Sequence, residues 1–128
     1  MRKALLLVVP LALAGCQTWG PTWSEVTGQR WNFTILNRGP AGISRVDQVS
    51  TYPPMPYKME PGARTIGVQG LPWAGFPNGD IKQFPLAAEP CKRYYINAQH
   101  KNPVEPDWWP VIDYVEDIAG CKVVAAVK

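Results

Sequence analysis

Short segments in which apolar and polar residues alternate recur along most of this chain, separated by glycine and proline. Alternation with a period of two is typical of a β-strand that buries one face. The pattern predicts strands at 30–36, 43–49, 63–70, 80–88, 92–99, 111–118 and 122–127. Within 80–88, Pro85 favours an edge position, because proline has no N–H to donate to a neighbouring strand.

The segment 108–119 also fits a helix. Trp108, Ile112, Val115 and Ala119 are spaced like the apolar stripe of a helix, and Gly120 is a suitable residue to end one. The β-branched residues in 111–118 favour the strand instead. We therefore expect an all-β fold, a small antiparallel β-sandwich of the Ig-like or transthyretin-like type with about seven short strands.

Between these segments, turn residues are concentrated. Residues 37–42 form one such cluster, and Asn78-Gly79 is a strong turn signal. The proline-rich segment 52–57 does not fit inside a sheet, and it is either an edge crossing or an exposed polyproline-like loop. A loop is expected at 102–110.

The start of the chain is basic and then strongly apolar. Arg2 and Lys3 precede an apolar run at 4–14, which is about half as long as a membrane-spanning helix requires. This order is typical of a secretory signal peptide. The run ends in Leu13-Ala14-Gly15-Cys16, which resembles the lipobox of bacterial lipoproteins.

The lipobox resemblance implies that the Cys16 sulfur receives a diacylglycerol, that cleavage occurs before Cys16, and that the new amine is acylated, with palmitate for example. Gln17 in place of aspartate implies sorting to the outer membrane, with the protein facing the periplasm. The expected organisation is a signal peptide at 1–15, a lipidated tether at 16–28 and a β-sandwich domain at 29–128. Trp19 and Trp23 either lie at the membrane interface or cap the core.

Removal of the signal peptide changes the charge and the cysteine count. Thirteen basic residues minus Arg2 and Lys3 leave eleven against ten acidic ones, a net charge of +1 without any basic block. Nucleic-acid binding is therefore disfavoured. With Cys16 lipidated, Cys91 and Cys121 remain and are expected to form a disulfide rather than two separate thiols.

A disulfide between Cys91 and Cys121 also predicts a strand register. If the two cysteines face each other in an antiparallel hairpin, Ile96 faces Glu116 and Gln99 faces Asp113. Such a bond, closing about thirty residues, would stabilise the fold by roughly 3–4 kcal/mol. Two cysteines and the distant His100 fall short of a four-ligand set, so no metal site is expected.

Residues 43–70 combine Asp47, an extended stretch, the Glu60-Pro61-Gly62 turn and an apolar alternation, and a tyrosine-rich strand follows at 93–96. This order resembles PEGA-like sandwich domains. The stretch 91–121, with a cysteine at each end of a hairpin, is similar to a group of proteobacterial lipoproteins. The resemblance implies a fold and a location, and it carries over no functional residue.

No set of residues predicts catalysis. His100 is the only histidine, no serine lies in a Gly-x-Ser-x-Gly elbow, and His100 is therefore interpreted as a surface residue. Asp113, Glu116 and Asp117 are interpreted as a solvated face rather than as calcium ligands or glycosidase carboxylates. No phosphate loop or dinucleotide motif is present, so we expect neither enzyme activity nor a cofactor.

Four aromatic residues remain as a candidate binding surface: Trp73 and Phe76 in one loop, Trp108 and Trp109 in another. Alternatively, these rings close the ends of the core, with one of Trp108 and Trp109 inward and the other outward. The sequence thus predicts a non-enzymatic outer-membrane lipoprotein that binds a partner protein or has a structural role in the envelope. The alternative is a glycan-binding or peptidoglycan-binding module.

Overall fold

The computed structural model describes residues 20–51, 56–77 and 79–123. Within these ranges the chain forms eight β-strands and no helix, which confirms the all-β fold. The strands are β1 (Ser24–Thr27), β2 (Arg38–Val46), β3 (Val49–Ser50), β4 (Tyr57–Met59), β5 (Gly62–Gly70), β6 (Ile81–Ala88), β7 (Lys92–His100) and β8 (Trp108–Asp117). The predicted disulfide between Cys91 and Cys121 is also present.

Strand β7 is the centre of the fold, because three strands pair with it. β8 runs antiparallel along one whole side. The other side is shared between β1, which runs parallel to the first half of β7, and β2, which runs antiparallel to the second half. The short strand β4 pairs with β1.

Strand β2 connects this group of strands to a second one. Its first residues, Arg38 to Pro40, pair with β7, and the residues from Ala41 to Val46 pair with β5. β5 in turn pairs with β6, and β3 pairs with the end of β2. Two hydrogen-bonded groups of strands therefore share β2, which is compatible with the predicted sandwich.

The core draws residues from both groups. Along β7, Tyr94, Ile96 and Ala98 point inward as the alternation predicts. The core contains these three residues together with Val26, Ala41, Val46, Met59, Ile66, Val68, Leu86, Ala88 and Trp108. Trp108 packs on Gly70 at the end of β5, where a Cβ would lie 2.8 Å from the indole ring, so this position requires glycine.

Several strand predictions are confirmed. β5, β6 and β7 match the predicted segments to within a residue or two, and β8 is a strand rather than the alternative helix. Among the residues described, β6 pairs with β5 alone, so Pro85 lies in an edge strand as expected. Other predictions about the strands need correction.

The predicted register of β7 and β8 is wrong. Ile96 faces Ile112 rather than Glu116, and Gln99 faces Trp109 rather than Asp113. The cysteines do not occupy facing strand positions: β8 ends at Asp117, the chain turns at Gly120 with φ 82°, and Cys91 itself has φ 61°. A β-bulge next to Asp113 shifts the register by one more residue.

The predicted strand at 30–36 is also wrong, because this segment is a series of turns. The Asn32 side chain accepts a hydrogen bond from the Thr34 N–H at 3.1 Å, and the Asn32 carbonyl accepts one from Ile35 N–H at 3.2 Å. These local bonds compete with strand pairing, as is typical of asparagine. The apolar side chains that the alternation assigned to a buried face are exposed.

Strand β2 begins and ends earlier than predicted. Residues 38–42, predicted as a turn, belong to the strand, and Asn37 alone has the positive φ, 58°. The predicted end at Val49 is wrong because Asp47 and Gln48 have φ 49° and 68° and form the turn into β3. Positive φ at two successive residues is the geometry of a tight hairpin turn.

The predicted boundary between tether and domain also lies too late. All four residues of β1 are buried and hydrogen-bonded between β4 and β7, so the folded domain includes residues from Ser24 onward.

Of the predicted last strand at 122–127, residues 122 and 123 are not in a strand and 124–127 lie outside the described residues. Of the proline-rich segment, 52–55 lies outside as well, and Tyr57 begins the edge strand β4.

Candidate functional site

The disulfide forms a junction at one end of β7. The Cα atoms of Cys91 and Cys121 are 5.4 Å apart. The Cys91 N–H donates to the Trp23 carbonyl at 2.8 Å, and the Lys122 N–H donates to the Pro21 carbonyl at 2.8 Å. The junction therefore ties the chain entering β1 to the start of β7 and to the segment that follows β8.

Trp23 at this junction is half-buried. Its indole N–H donates to a Glu25 carboxylate oxygen at 3.0 Å, and the Lys58 ammonium lies 4.4 Å from the ring centroid. Trp23 thus contacts side chains of β1 and β4, while Trp19 lies outside the described residues.

The predicted aromatic residues lie at the opposite end of β7, which is about 30 Å away for a nine-residue strand. Trp108 is buried and faces His100 across the ladder, whereas Trp109 is exposed. One ring of the pair therefore points inward and the other outward, as expected, although both residues lie in strand β8 rather than in the predicted loop. Trp73 is half-buried, and its indole N–H donates to the Asn102 carbonyl at 3.0 Å. Phe76 is exposed.

His100 is buried rather than on the surface, which corrects its interpretation from sequence. Its ring stacks on Trp73 with centroids 3.8 Å apart and planes 4° apart. Burial lowers the pKa of His100 from its ordinary value of 6.5, because desolvation disfavours the charged form. Among the described residues its buried Nδ1 has no hydrogen-bond partner.

The acidic residues of β8 are ion-paired, and this corrects their interpretation as one solvated face. The Asp113 carboxylate lies 2.7 Å from the Arg38 guanidinium, with the two side chains only 7% and 12% exposed. Glu116 pairs with Arg93, and Asp117 pairs with Lys92. Only Asp117 is largely exposed. In the described ranges no three metal-ligating side chains are grouped together.

A loop that the sequence analysis assigned to a strand crosses the outer face of β7. The side-chain amide of Asn97 donates to the Arg30 carbonyl at 2.7 Å, and its oxygen accepts from the Asn32 N–H at 3.3 Å. Gln99 donates to the Leu36 carbonyl at 2.9 Å. The fully buried Asn97 holds one end of this loop and Gln99 holds the other, so the loop is fixed to the sheet at both ends.

The fixed loop presents large apolar side chains to solvent. Phe33 is 81% exposed and Leu36 is 83% exposed, and Trp31 and Ile35 are exposed too. Trp109 lies beside them, since it faces Gln99, whose amide holds the Leu36 carbonyl. We call these five residues, Trp31, Phe33, Ile35, Leu36 and Trp109, the apolar loop surface. Of the predicted aromatic residues it contains Trp109 alone.

Arg30 adds a positive charge at the margin of this surface. Its guanidinium lies 5.7 Å from the Tyr95 ring centroid and 5.4 Å from that of Tyr114. Both distances are within the range of cation–π contacts. No carboxylate in the described part of the chain pairs with Arg30.

An apolar cleft of about 340 Å³ opens between the end of β1 and the first half of β2. Gly28 is needed here, because a Cβ at this position would lie 1.9 Å from the Ala41 carbonyl oxygen. The other lining residues are Thr27, Gln29, Pro40, Gly42, Ile43 and Leu71. None of them can act as a general acid or base, so the cleft offers no catalytic group.

No family model, no curated protein and no solved structure matches this chain. In the described ranges there is also no helix long and apolar enough to cross a membrane.

Proposed function

We propose that this protein is a non-enzymatic lipoprotein, anchored in the outer membrane through Cys16, that binds a partner protein in the periplasm through the apolar loop surface. The observation that carries this proposal is the exposure of Phe33 and Leu36 on a loop fixed by buried Asn97. Contiguous exposed apolar side chains on a small domain are typical of interaction sites. A loop already held in place loses little further conformational entropy when a partner binds.

The position of the loop relative to the lipobox favours a protein partner over a lipid surface. Four residues lie between Cys16 and Pro21, so these two residues are at most about 18 Å apart. Because Pro21 is hydrogen-bonded beside the disulfide, a lipid on Cys16 would keep the disulfide end of β7 near the membrane. The loop is attached to Asn97 and Gln99 in the other half of β7, so it would face the periplasm.

Capture of partners from envelope extracts tests the binding role. The full chain should retain a protein that the Phe33→Ser, Leu36→Ser double variant loses. Val49→Ser is the matched control, because Val49 is 58% exposed but lies in β3, away from the loop. Equal capture by all three forms would refute the assignment of this surface.

Labelling with radioactive palmitate tests the anchor separately. The wild-type chain should incorporate the label and remain in the membrane fraction, whereas Cys16→Ala should do neither. Palmitate incorporation by the Cys16→Ala variant would contradict lipidation at Cys16. The binding role does not depend on this result, because the apolar loop surface lies within the folded domain.

Glycan binding remains a second candidate because Trp109 and Phe76 are exposed. It is less favoured, since the Trp108 ring lies in the core and one face of Trp73 is covered by His100. Titration with peptidoglycan fragments should leave the tryptophan fluorescence of the wild-type protein unchanged. A change that Trp109→Ala removes would support glycan binding and count against the protein partner.

A further inference from the structure

Strand β8 has an open edge along its ten residues. It pairs with β7 on one side, and no described strand pairs with the other side. An edge of this kind carries backbone N–H and C=O groups that are available to another strand. The β8 edge differs from the other edges of the fold in length and in sequence.

Two inward-pointing side chains of β8 are left uncovered. Ile112 faces Ile96 and Val115 faces Tyr94, and facing residues in a ladder share one side of the sheet. Ile96 and Tyr94 are buried, but Ile112 and Val115 are 42% and 41% exposed. Since both point to the core side of the sheet, an additional strand beyond β8 would cover them.

The other described edges are short or interrupted by proline, whereas the long β8 edge is interrupted only by its bulge. β6 has Pro85 near its middle, and β4 has only three residues. The only proline of β8 is Pro110, near its start, so residues 111–117 have none. Protection by charge is also weak, because all three carboxylates of β8 are already paired with cations of β2 and β7: Asp113 with Arg38, Glu116 with Arg93, and Asp117 with Lys92.

The bulge makes the β8 edge complementary to itself. Before the bulge the inward positions have even numbers, such as Ile112, and after it they have odd numbers, such as Val115. An antiparallel pair related by a twofold axis between positions 113 and 114 places Ile112 of each copy opposite Val115 of the other. Both uncovered residues then lie on the same side of a continuous sheet, as an isologous interface requires.

We propose that two copies of this chain associate through their β8 strands, in the antiparallel register that pairs Ile112 with Val115. The described residues that follow β8 run to the other side of β7. After Gly120 it returns to Cys91, and Lys122 donates to the Pro21 carbonyl, next to β1. The self-association does not depend on the anchor or on the apolar loop surface.

Cross-linking in cells tests the register. Two differently tagged full-length chains are co-expressed, one with Ile112→Cys and the other with Val115→Cys. Facing residues have Cα atoms about 4.5–5.5 Å apart, which a disulfide can bridge. A mixed dimer on a non-reducing gel is the expected result. Ile112→Cys in both chains should give at least tenfold less mixed dimer, because the two cysteines would be about 10 Å apart along the strands.

Val104→Cys in both chains controls for random collision, since Val104 is 71% exposed in the loop before β8. No mixed dimer, or no excess of it over the Val104 and Ile112 controls, would overturn the proposal. Reduction of the gel sample should return all of the mixed dimer to monomer.

A pair of charge variants tests the same contact without new cysteines. When both tagged chains carry Ile112→Glu together with Val115→Lys, co-purification of the two tags should be preserved, because opposite charges face each other across the contact. Ile112→Lys with Val115→Lys should reduce co-purification at least tenfold, because like charges face each other. Both variants place two charges at the same exposed positions, so equal behaviour would overturn the proposed register.

Two further variants exclude other arrangements. Deletion of residues 124–128 should leave the yield of the mixed dimer unchanged. A higher yield would mean that these residues cover the β8 edge in the full chain, contrary to the proposal. Phe33→Ser should also have no effect. Loss of the dimer in that variant would mean that the copies meet through the apolar loop surface instead of β8.

Discussion

Removal of the disulfide should cost this domain a large part of its stability. The bond joins residues 30 positions apart, and both of its cysteines lie in turns at one end of β7. In the chain-entropy model, closing a loop of about 31 residues reduces the entropy of the unfolded chain by about 12 cal/mol/K. At 25 °C this corresponds to about 3.7 kcal/mol, compared with total stabilities of about 5–15 kcal/mol for typical proteins.

The backbone at Cys91 offers a way to separate this effect from strain. With φ 61°, Cys91 has a conformation that glycine adopts more easily than alanine does. The Cys91→Gly, Cys121→Ala variant should therefore be more stable than Cys91→Ala, Cys121→Ala, by a few tenths to about 1 kcal/mol. Both should remain well below the wild-type protein.

Urea unfolding followed by tryptophan fluorescence measures these differences, with and without reductant. The wild-type protein should lose about 3–4 kcal/mol on reduction, and the alanine variant should not respond to reductant. An unfolding free energy that is the same in the oxidised wild type and the alanine variant would refute the reasoning. So would an equal response of both proteins to reductant.

Three further predictions concern buried polar groups. Asn97→Ala should lower the unfolding free energy by about 1–3 kcal/mol, because the Arg30 carbonyl and the Asn32 N–H lose their partner; urea unfolding checks this. Arg38→Met should cost about 3–5 kcal/mol by leaving the Asp113 carboxylate buried and unpaired, and adding Asp113→Leu should recover much of it in a double-mutant cycle. Because the pKa of His100 is lowered in the folded protein, the unfolded chain binds more protons than the folded one as pH falls below 6.5. The stability of the wild-type protein should therefore decline in this range. Thermal unfolding should show a smaller decline for His100→Phe, which has no imidazole to protonate.

The predictable part of the fold is the part in which local pattern and tertiary environment agree. β5, β6 and β7 alternate over eight or nine residues, and inward positions of all three strands enter the core. The edge position of β6 followed from Pro85 because the missing N–H excludes a neighbour on that side whatever the rest of the chain does. The cysteine pair followed from counting, since only two cysteines remained once Cys16 was assigned to lipid.

The loop at 30–37 was missed because its decisive partners are remote in sequence. Trp31, Phe33 and Ile35 alternate as a buried strand face would, and the Asn32 turn was the only local signal against a strand. The bonds that hold the loop come from Asn97, 65 residues away from Asn32. An alternation pattern does not report whether a neighbouring strand exists to complete the ladder.

The candidate site was predictable only in part, for the same reason. The opposite orientation of the Trp108 and Trp109 rings was expected, but both residues were placed in a loop, whereas they begin strand β8. The alternation did not predict that His100 stacks on Trp73, which requires the loop after β5 to meet the end of β7. The register failed because Cys91 has a positive φ and Cys121 follows the turn at Gly120, so counting back from a facing pair no longer applies.

The outward side chains of β7 link the stability of the fold to its exposed surface. Arg93, Asn97 and Gln99 alternate with the core residues and would normally face water, yet each holds a partner from another segment. Leaving Phe33 and Leu36 exposed forgoes about 1.5–3 kcal/mol for each side chain relative to full burial. The side-chain hydrogen bonds of Asn97 and Gln99 hold the loop on the sheet, and in the function proposed above a binding partner would bury Phe33 and Leu36.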